Sequence, residues 1–174
     1  MSILEIEKIL KKGGIGVLPT DTIYGLVGAA LSKKAVERIY KVKKRKKDKS
    51  FVILISSLKD LGLFEIKLNK EILKLLRKIF PSKVSIILPC QKKKFFYLHK
   101  DKNSLAFRIP KDLWLRRLLS KTGPLVVPSA NLEGMPPAKT IKEAKKYFGD
   151  KVDFYFDKGT IKGKPSIILE IKRF

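Results

Sequence analysis

The chain has 174 residues, a length that suits one domain, 1–174, with one sizeable core. Its 44% apolar content excludes a disordered chain, and one Cys and one His exclude an intrachain disulfide, a cysteine zinc site and a histidine metal cluster. Forty Lys and Arg against 16 Asp and Glu leave a net charge of +24, which points to anionic partners (a nucleotide, RNA or both), although a general lysine bias gives the same number. The first twelve residues, MSILEIEKILKK, read as a charged amphipathic helix that Gly13-Gly14 ends. They lack the apolar core of a signal peptide, and runs such as FVILI are too short to span a bilayer, so a cytoplasmic protein is expected.

Ile15–Leu18 reads as a strand stopped by Pro19, which cannot donate to a ladder. Thr20, Asp21 and Thr22 follow, then Tyr24 and two glycines, Gly25 and Gly28, that permit close backbone approach. Ser32 caps a helix through about Lys41 with Ala35, Val36, Ile39 and Tyr40 inward. Phe51–Ile55 is a strand covered on both faces. Ser57 can cap a short helix. Asn69 caps another, with Ile72, Leu73, Leu75, Leu76 and Ile79 as its core side and Pro81 as its stop. Val84–Leu88 and Leu105–Ile109 are strands on either side of a Lys-rich loop, Pro89–Asn103, that holds Phe95, Phe96 and Tyr97. Pro110 and Asp112 open a helix, Leu125–Val127 is a short strand, and Thr140 caps a helix to Phe148. Val152–Phe156 and Ser166–Ile171 are the last strands, separated by the Lys/Gly loop Lys158–Lys164. Strands and helices mix without strict alternation, which implies an α/β or α+β fold: one twisted, mixed sheet with flanking helices.

Three polar constellations stand out. A Thr-Asp-Thr cluster between apolar segments is costly unless caps, water or a ligand satisfy it. Lys41–Lys49 holds seven basic residues in nine. Lys44, Lys46 and Lys47 read as solvated, whereas Lys43 and Arg45, two apart before a strand, would share one side of an extended segment and form a phosphate clamp in the same cleft. In VVPSAN, Ser129 and Asn131 leave a buried strand on one side, where ligands of open sheets bind, although an ordinary capped turn has the same pattern. Arg108 sits inside a strand in an acid-poor chain, so a ligand carboxylate or phosphate is its expected partner, with Ser104 on the same face. Asp21 could act as a base, help hold a metal–nucleotide complex or cap its own turn. His99 reads as exposed and Cys90 as a packing residue. Neither common glycine-rich nucleotide signature is present.

PTDTIYGL, the K-x-R of Lys43 and Arg45, FRIP around Arg108 and PSANLEGMPP with Ser129 and Asn131, in this order from about Gly14 to Ser166, resemble the YrdC/TsaC family. The resemblance implies a twisted α/β sheet with a concave basic face. It also implies synthesis of threonylcarbamoyl-adenylate and pyrophosphate from L-threonine, bicarbonate or CO2 and ATP, a nucleotidyl transfer that feeds N6-threonylcarbamoyladenosine formation on tRNA. ATP is then a substrate that carries Mg2+ with it, and no metal is held by the protein itself. The resemblance puts Lys43, Arg45, Ser129 and Asn131 at the ATP phosphates and the reacting carbamate. It assigns Lys49 and Ser104 to nucleotide binding, Thr20, Thr22 and Ser166 to the threonine pocket and Arg108 to the threonine carboxylate. Departures are visible: Lys44 and Lys46 take a Gly and a Pro place, Ser50 replaces Pro or Gly, Ile167 replaces a Thr, and Arg173 stands near a later basic position. The family's short form has no second domain and depends on partner proteins for transfer to tRNA. Two other readings fit: an RNA-binding module without catalysis, contacting tRNA or double-stranded RNA through lysines and Phe95–Tyr97, and a paralogue acting on another carbamoyl substrate.

Overall fold

The computed structural model describes residues 1–46 and 49–171; Lys47 and Arg173, both singled out above, lie outside the described residues. Helix α1 (Ile3–Lys11) begins with a reciprocal cap, in which Ser2 Oγ accepts from the Glu5 N–H at 3.2 Å and the Glu5 carboxylate accepts from the Ser2 N–H at 2.6 Å. Strand β1 (Ile15–Pro19) turns back through Thr20–Ile23 into β2 (Tyr24–Ala29), an antiparallel hairpin that pairs Pro19 with Tyr24. The sequence reading assigned no strand to Tyr24–Ala29, though it took Gly25 and Gly28 as places of close backbone approach. Here Gly25 is small for packing: a Cβ there would stand 2.4 Å from Val127 Cγ1.

The other α-helices and strands are α2 (Lys33–Lys43), β3 (Val52–Leu54), α3 (Lys70–Ile79), β4 (Val84–Pro89), α4 (Phe96–His99), β5 (Ser104–Arg108), α5 (Leu113–Thr122), β6 (Leu125–Val126), α6 (Ile141–Phe148), β7 (Phe154–Tyr155) and β8 (Ile167–Glu170). Together the strands form one mixed sheet in the order β7-β1-β2-β6-β3-β5-β4-β8. Because side chains alternate along a strand, Ile53 enters one core with Val17, Leu26, Ile39, Phe64 and Phe148, while Leu54 enters the other with Leu10, Leu18, Val27, Leu115 and Leu119. Helices α1 and α5 cover the second face; α2, α3, α4 and α6 contribute to the first.

Four expectations are corrected. Helix α2 runs through Lys43 and ends at Lys44 with φ 51°, so K-x-R is not an extended segment. His99 is only 3% exposed, since α4 folds part of the Lys-rich loop onto the core; its Nε2 lies 3.3 Å from the Lys92 carbonyl. Phe95 packs on Phe64, 5.4 Å between centroids, while Phe96 is half exposed. On α3, Ile72 and Leu76 are buried but Leu75 is exposed.

Ile53 is fully buried at the middle of the sheet, opposite Phe107 on one side and Val126 on the other. Ile53→Ala is expected to lower unfolding free energy by about 2–5 kcal/mol, read as a lower urea midpoint at unchanged slope.

Candidate active site

The hairpin loop satisfies its own polar groups first. Thr20 Oγ1 donates to the Ile23 carbonyl at 2.7 Å, accepts from the N–H groups of Thr22 and Ile23 at 3.2 Å, and lies 2.9 Å from Thr22 Oγ1. Both threonines are buried. Asp21 points the other way. Its carboxylate accepts from Arg108 Nη1 and from the Lys111 N–H, each at 2.9 Å. The expected ligand partner of Arg108 is therefore preceded by a protein carboxylate from 87 residues away. The guanidinium side chain is 4% exposed, and Nε has no partner. Burial pulls its pKa below the ordinary value and Asp21 opposes that pull.

Strand β2 also positions the Pro128–Asn131 segment. The Leu26 N–H donates to the Pro128 carbonyl at 2.9 Å, and the Ala130 N–H donates to the Tyr24 carbonyl at the same distance. This segment receives Lys43 from the end of α2. The ammonium is 1% exposed and donates to the Ser129 and Asn131 carbonyls and to Asn131 Oδ1 at 2.7–2.8 Å, with Ser129 Oγ at 3.4 Å. Ser129 Oγ donates to Asn131 Oδ1 at 2.6 Å, and Asn131 Nδ2 is taken up by the Leu132 and Met135 carbonyls. Lys43 and Asn131 thus hold each other and do not line the open cleft.

Arg45 does line it. Its Nε and Nη2 donate to the Lys49 and Ser50 carbonyls at 3.3 and 3.2 Å, and the guanidinium lies 5.2 Å from the Phe51 ring centre. The cleft, about 210 Å³, brings together Thr20, Thr22, Arg45, Arg108, Ser129 and Ser166. Ser166 shares a hydrogen bond with the buried Ser85 at 3.0 Å. Ser104 falls in a separate depression with Pro89, Lys102 and Glu170. It shares a strand face with Arg108, but four residues of strand are roughly 13 Å of chain. Lys49 pairs with Glu133 at 2.6 Å.

Sequence reasoning gave no structural role to the Lys/Gly loop Lys158–Lys164, which packs on the β1–β2 hairpin. Tyr24 Oη donates to the Gly159 carbonyl at 2.7 Å and accepts from the Lys158 N–H at 3.1 Å. Gly163 sits on the hairpin so closely that a Cβ would fall 1.8 Å from the Thr22 carbonyl oxygen. The glycine in this Lys/Gly loop was the available signal.

The Sua5/YciO/YrdC family model, whose description reads "Telomere recombination", matches residues 8–173. The chain belongs to that family. A threonylcarbamoyl-AMP synthase of Coxiella burnetii is 28% identical over 153 residues, 87% of this chain and 82% of that protein. A relative in Methanocaldococcus jannaschii that carries the same name provisionally is 32% identical over 168 residues, 96% of this chain and 79% of its own. The structure of Pyrococcus abyssi Sua5 complexed with L-threonine superposes with a TM-score of 0.90 at 25% identity. It covers 99% of this chain, which spans about half (51%) of that longer protein.

Burial, then the nearby charge of Arg45, pulls the Lys43 pKa down to about 7, against the opposing effect of Glu133. Between that value and the ordinary 10.5 the unfolded chain binds more protons than the folded one, so stability contributed at this site rises with pH across that window. Compared with Lys43→Met, the native protein is expected to gain up to about 1.4 kcal/mol of unfolding free energy per pH unit above 7, measured by denaturant titrations from pH 6 to 10.

Proposed function

We propose that this protein is a threonylcarbamoyl-AMP synthase, a nucleotidyltransferase that uses L-threonine, bicarbonate or CO2 and ATP. The observation that carries the reading is a single cleft where a buried guanidinium, a second guanidinium and the four hydroxyl side chains of Thr20, Thr22, Ser129 and Ser166 converge. Family membership and the names of the relatives point the same way.

The chemistry follows from charge. The threonine amine and CO2 form a carbamate. A carbamate oxygen bonds to the α-phosphorus of ATP, the bond from that phosphorus to the bridging oxygen breaks, and pyrophosphate leaves. No protein nucleophile is required. The protein must gather a carboxylate, a carbamate and a triphosphate that repel one another, and hold them in line. In this reading the Arg108 guanidinium takes the threonine carboxylate, with Thr20, Thr22 and Ser166 around the side chain. Arg45 and the Ser129 hydroxyl face the phosphates and stabilise the charge that develops there. Lys43 and Asn131 fix the Ser129 loop, and Lys49 reaches the nucleotide from the rim. Among the described residues no group of three His, Cys, Asp or Glu side chains could hold a metal ion, and Mg2+ in this reading arrives on ATP.

The product serves N6-threonylcarbamoyladenosine formation on tRNA, with transferase proteins receiving the adenylate, in the cytoplasm where ATP and tRNA meet. Among the described residues no helix is long and apolar enough to cross a membrane. The reading treats the chain as one domain. The excess lysines give tRNA or double-stranded RNA a route to the protein. The non-catalytic RNA reading loses one of its supports, because Phe95 is buried against Phe64 and only Phe96 of that pair is open for stacking.

Purified protein is expected to release pyrophosphate from ATP only when both threonine and bicarbonate are present. Arg45→Ala should lower kcat/KM by about 10²–10³ with an unchanged melting temperature. Release without threonine, or full activity in the variant, would contradict the assignment.

A further inference from the structure

Next to the loop that holds Ser129, and within electrostatic reach of the cleft residue Arg45, lies a negative charge that the synthase chemistry does not need. Glu133 follows Asn131 by two residues, on the same loop that holds Ser129. Its N–H donates to the Lys43 carbonyl at 3.1 Å, which anchors it to the end of α2. Its carboxylate accepts from the Lys46 N–H at 2.7 Å and from Lys49 Nζ at 2.6 Å. The Lys49 hydrogen bond, then that of the Lys46 N–H, holds the carboxyl below its ordinary pKa, with the charge of Arg45 adding to the effect.

This arrangement is an anion cradle with a carboxylate already in it. A backbone N–H, an ammonium and a nearby guanidinium are the donors that bind phosphate oxygens. The seat is also accessible: the Lys49 side chain is 49% exposed and that of Glu133 is 23% exposed. An exposed pair of this kind contributes little to stability, so exchange of the carboxylate for a stronger anion costs little. Arg45 belongs to both places, since it faces the cleft and acts on Glu133.

We propose that Glu133 is a resident anion in a phosphate subsite formed by the Lys46 N–H, Lys49 and Arg45, and that the outer phosphates of a nucleoside triphosphate displace it. The proposal rests on the synthase reading for the identity of the nucleotide. Glu133 then sets the affinity of the site. It keeps the cationic turn compensated when no nucleotide is present, and it competes with the β- and γ-phosphates, which a monophosphate does not supply. A site tuned in this way discriminates by phosphate number through competition with a carboxylate of its own chain.

Glu133→Gln separates this role from that of a strut. Glutamine keeps an oxygen that can accept from the Lys46 N–H, and removes only the charge. ATP and AMP are titrated calorimetrically into the full chain and the variant, without threonine or bicarbonate, so the result does not depend on turnover. The variant is expected to bind ATP about tenfold more tightly, the scale of a like charge removed at short range near a protein surface, with AMP affinity changed less than twofold. Its ATP affinity should also fall more steeply with salt, because one more net cationic contact is exposed to the phosphates. Unchanged or weaker ATP binding overturns the proposal, as does equal tightening for AMP. Failure of the synthase reading has a different signature: pyrophosphate release that ignores threonine, whatever the binding constants.

Discussion

A buried ammonium has few places to go. Lys43 ends a helix whose inward face it shares with Val36, Ile39 and Tyr40, so its side chain is carried into the interior and away from water. Three acceptors at 2.7–2.8 Å on the Ser129–Asn131 loop meet it there. Burial of a charge is expensive without such partners, and the requirement works in both directions. The loop is held because the lysine must be satisfied, and the lysine is tolerated because the loop offers two carbonyls and an amide oxygen. Ser129 is positioned as a result, its hydroxyl donating to the same Asn131 oxygen that Lys43 uses.

The opposite wall of the cleft is built on a second buried charge. Arg108 enters from the middle of the sheet, and Asp21 turns out of the hairpin loop to meet it. The pair leaves the two threonines lining the cleft and the buried Nε of the guanidinium without a hydrogen bond. Strand β2 joins the walls: its first residues close the Thr20–Ile23 turn and also bond the Pro128–Ala130 backbone. Gly25 allows that second contact, because Val127 occupies the space of a Cβ. Gly163 does the same for the loop that rests on Thr22. The site is thus fixed by backbone proximity and buried charge, which leaves Arg45 as the cleft-lining cation that a nucleotide can reach, with Lys49 nearby and paired to Glu133.

Much of the fold is legible in the sequence because local signals and burial agree. Asn69 caps α3 through the Ile72 N–H, Thr140 caps α6 through the Glu143 N–H, and the apolar run at Phe51 becomes a central strand. The failures have a common cause in distance. Gly25 and Gly28 are read as places of close approach, but the neighbours that need their small size, Val127 above all, lie too far along the chain to be named from sequence. Lys43 is read with Arg45 as an extended pair, although its spacing of four from Ile39 and seven from Val36 already places it on the buried face of a helix. The acid that pairs with Arg108 could not be picked out by a composition argument, since only position in space distinguishes Asp21 from the other acids. Ser104 shows the limit of face arguments: the same side of a strand is not the same end of it. His99 was misjudged because a short helix in a lysine-rich segment buries its apolar members and takes the histidine with them.

The central claim is that cations and hydroxyls from separate segments hold mutually repelling anions in one hollow. A crystal structure of the protein with L-threonine and a non-hydrolysable ATP analogue tests it most directly. The account predicts the threonine carboxylate on the Arg108 guanidinium, and phosphate oxygens within hydrogen-bond distance of the Arg45 guanidinium and the Ser129 hydroxyl. A nucleotide bound outside the cleft, or a threonine whose carboxylate does not touch the Arg108 guanidinium, would contradict it.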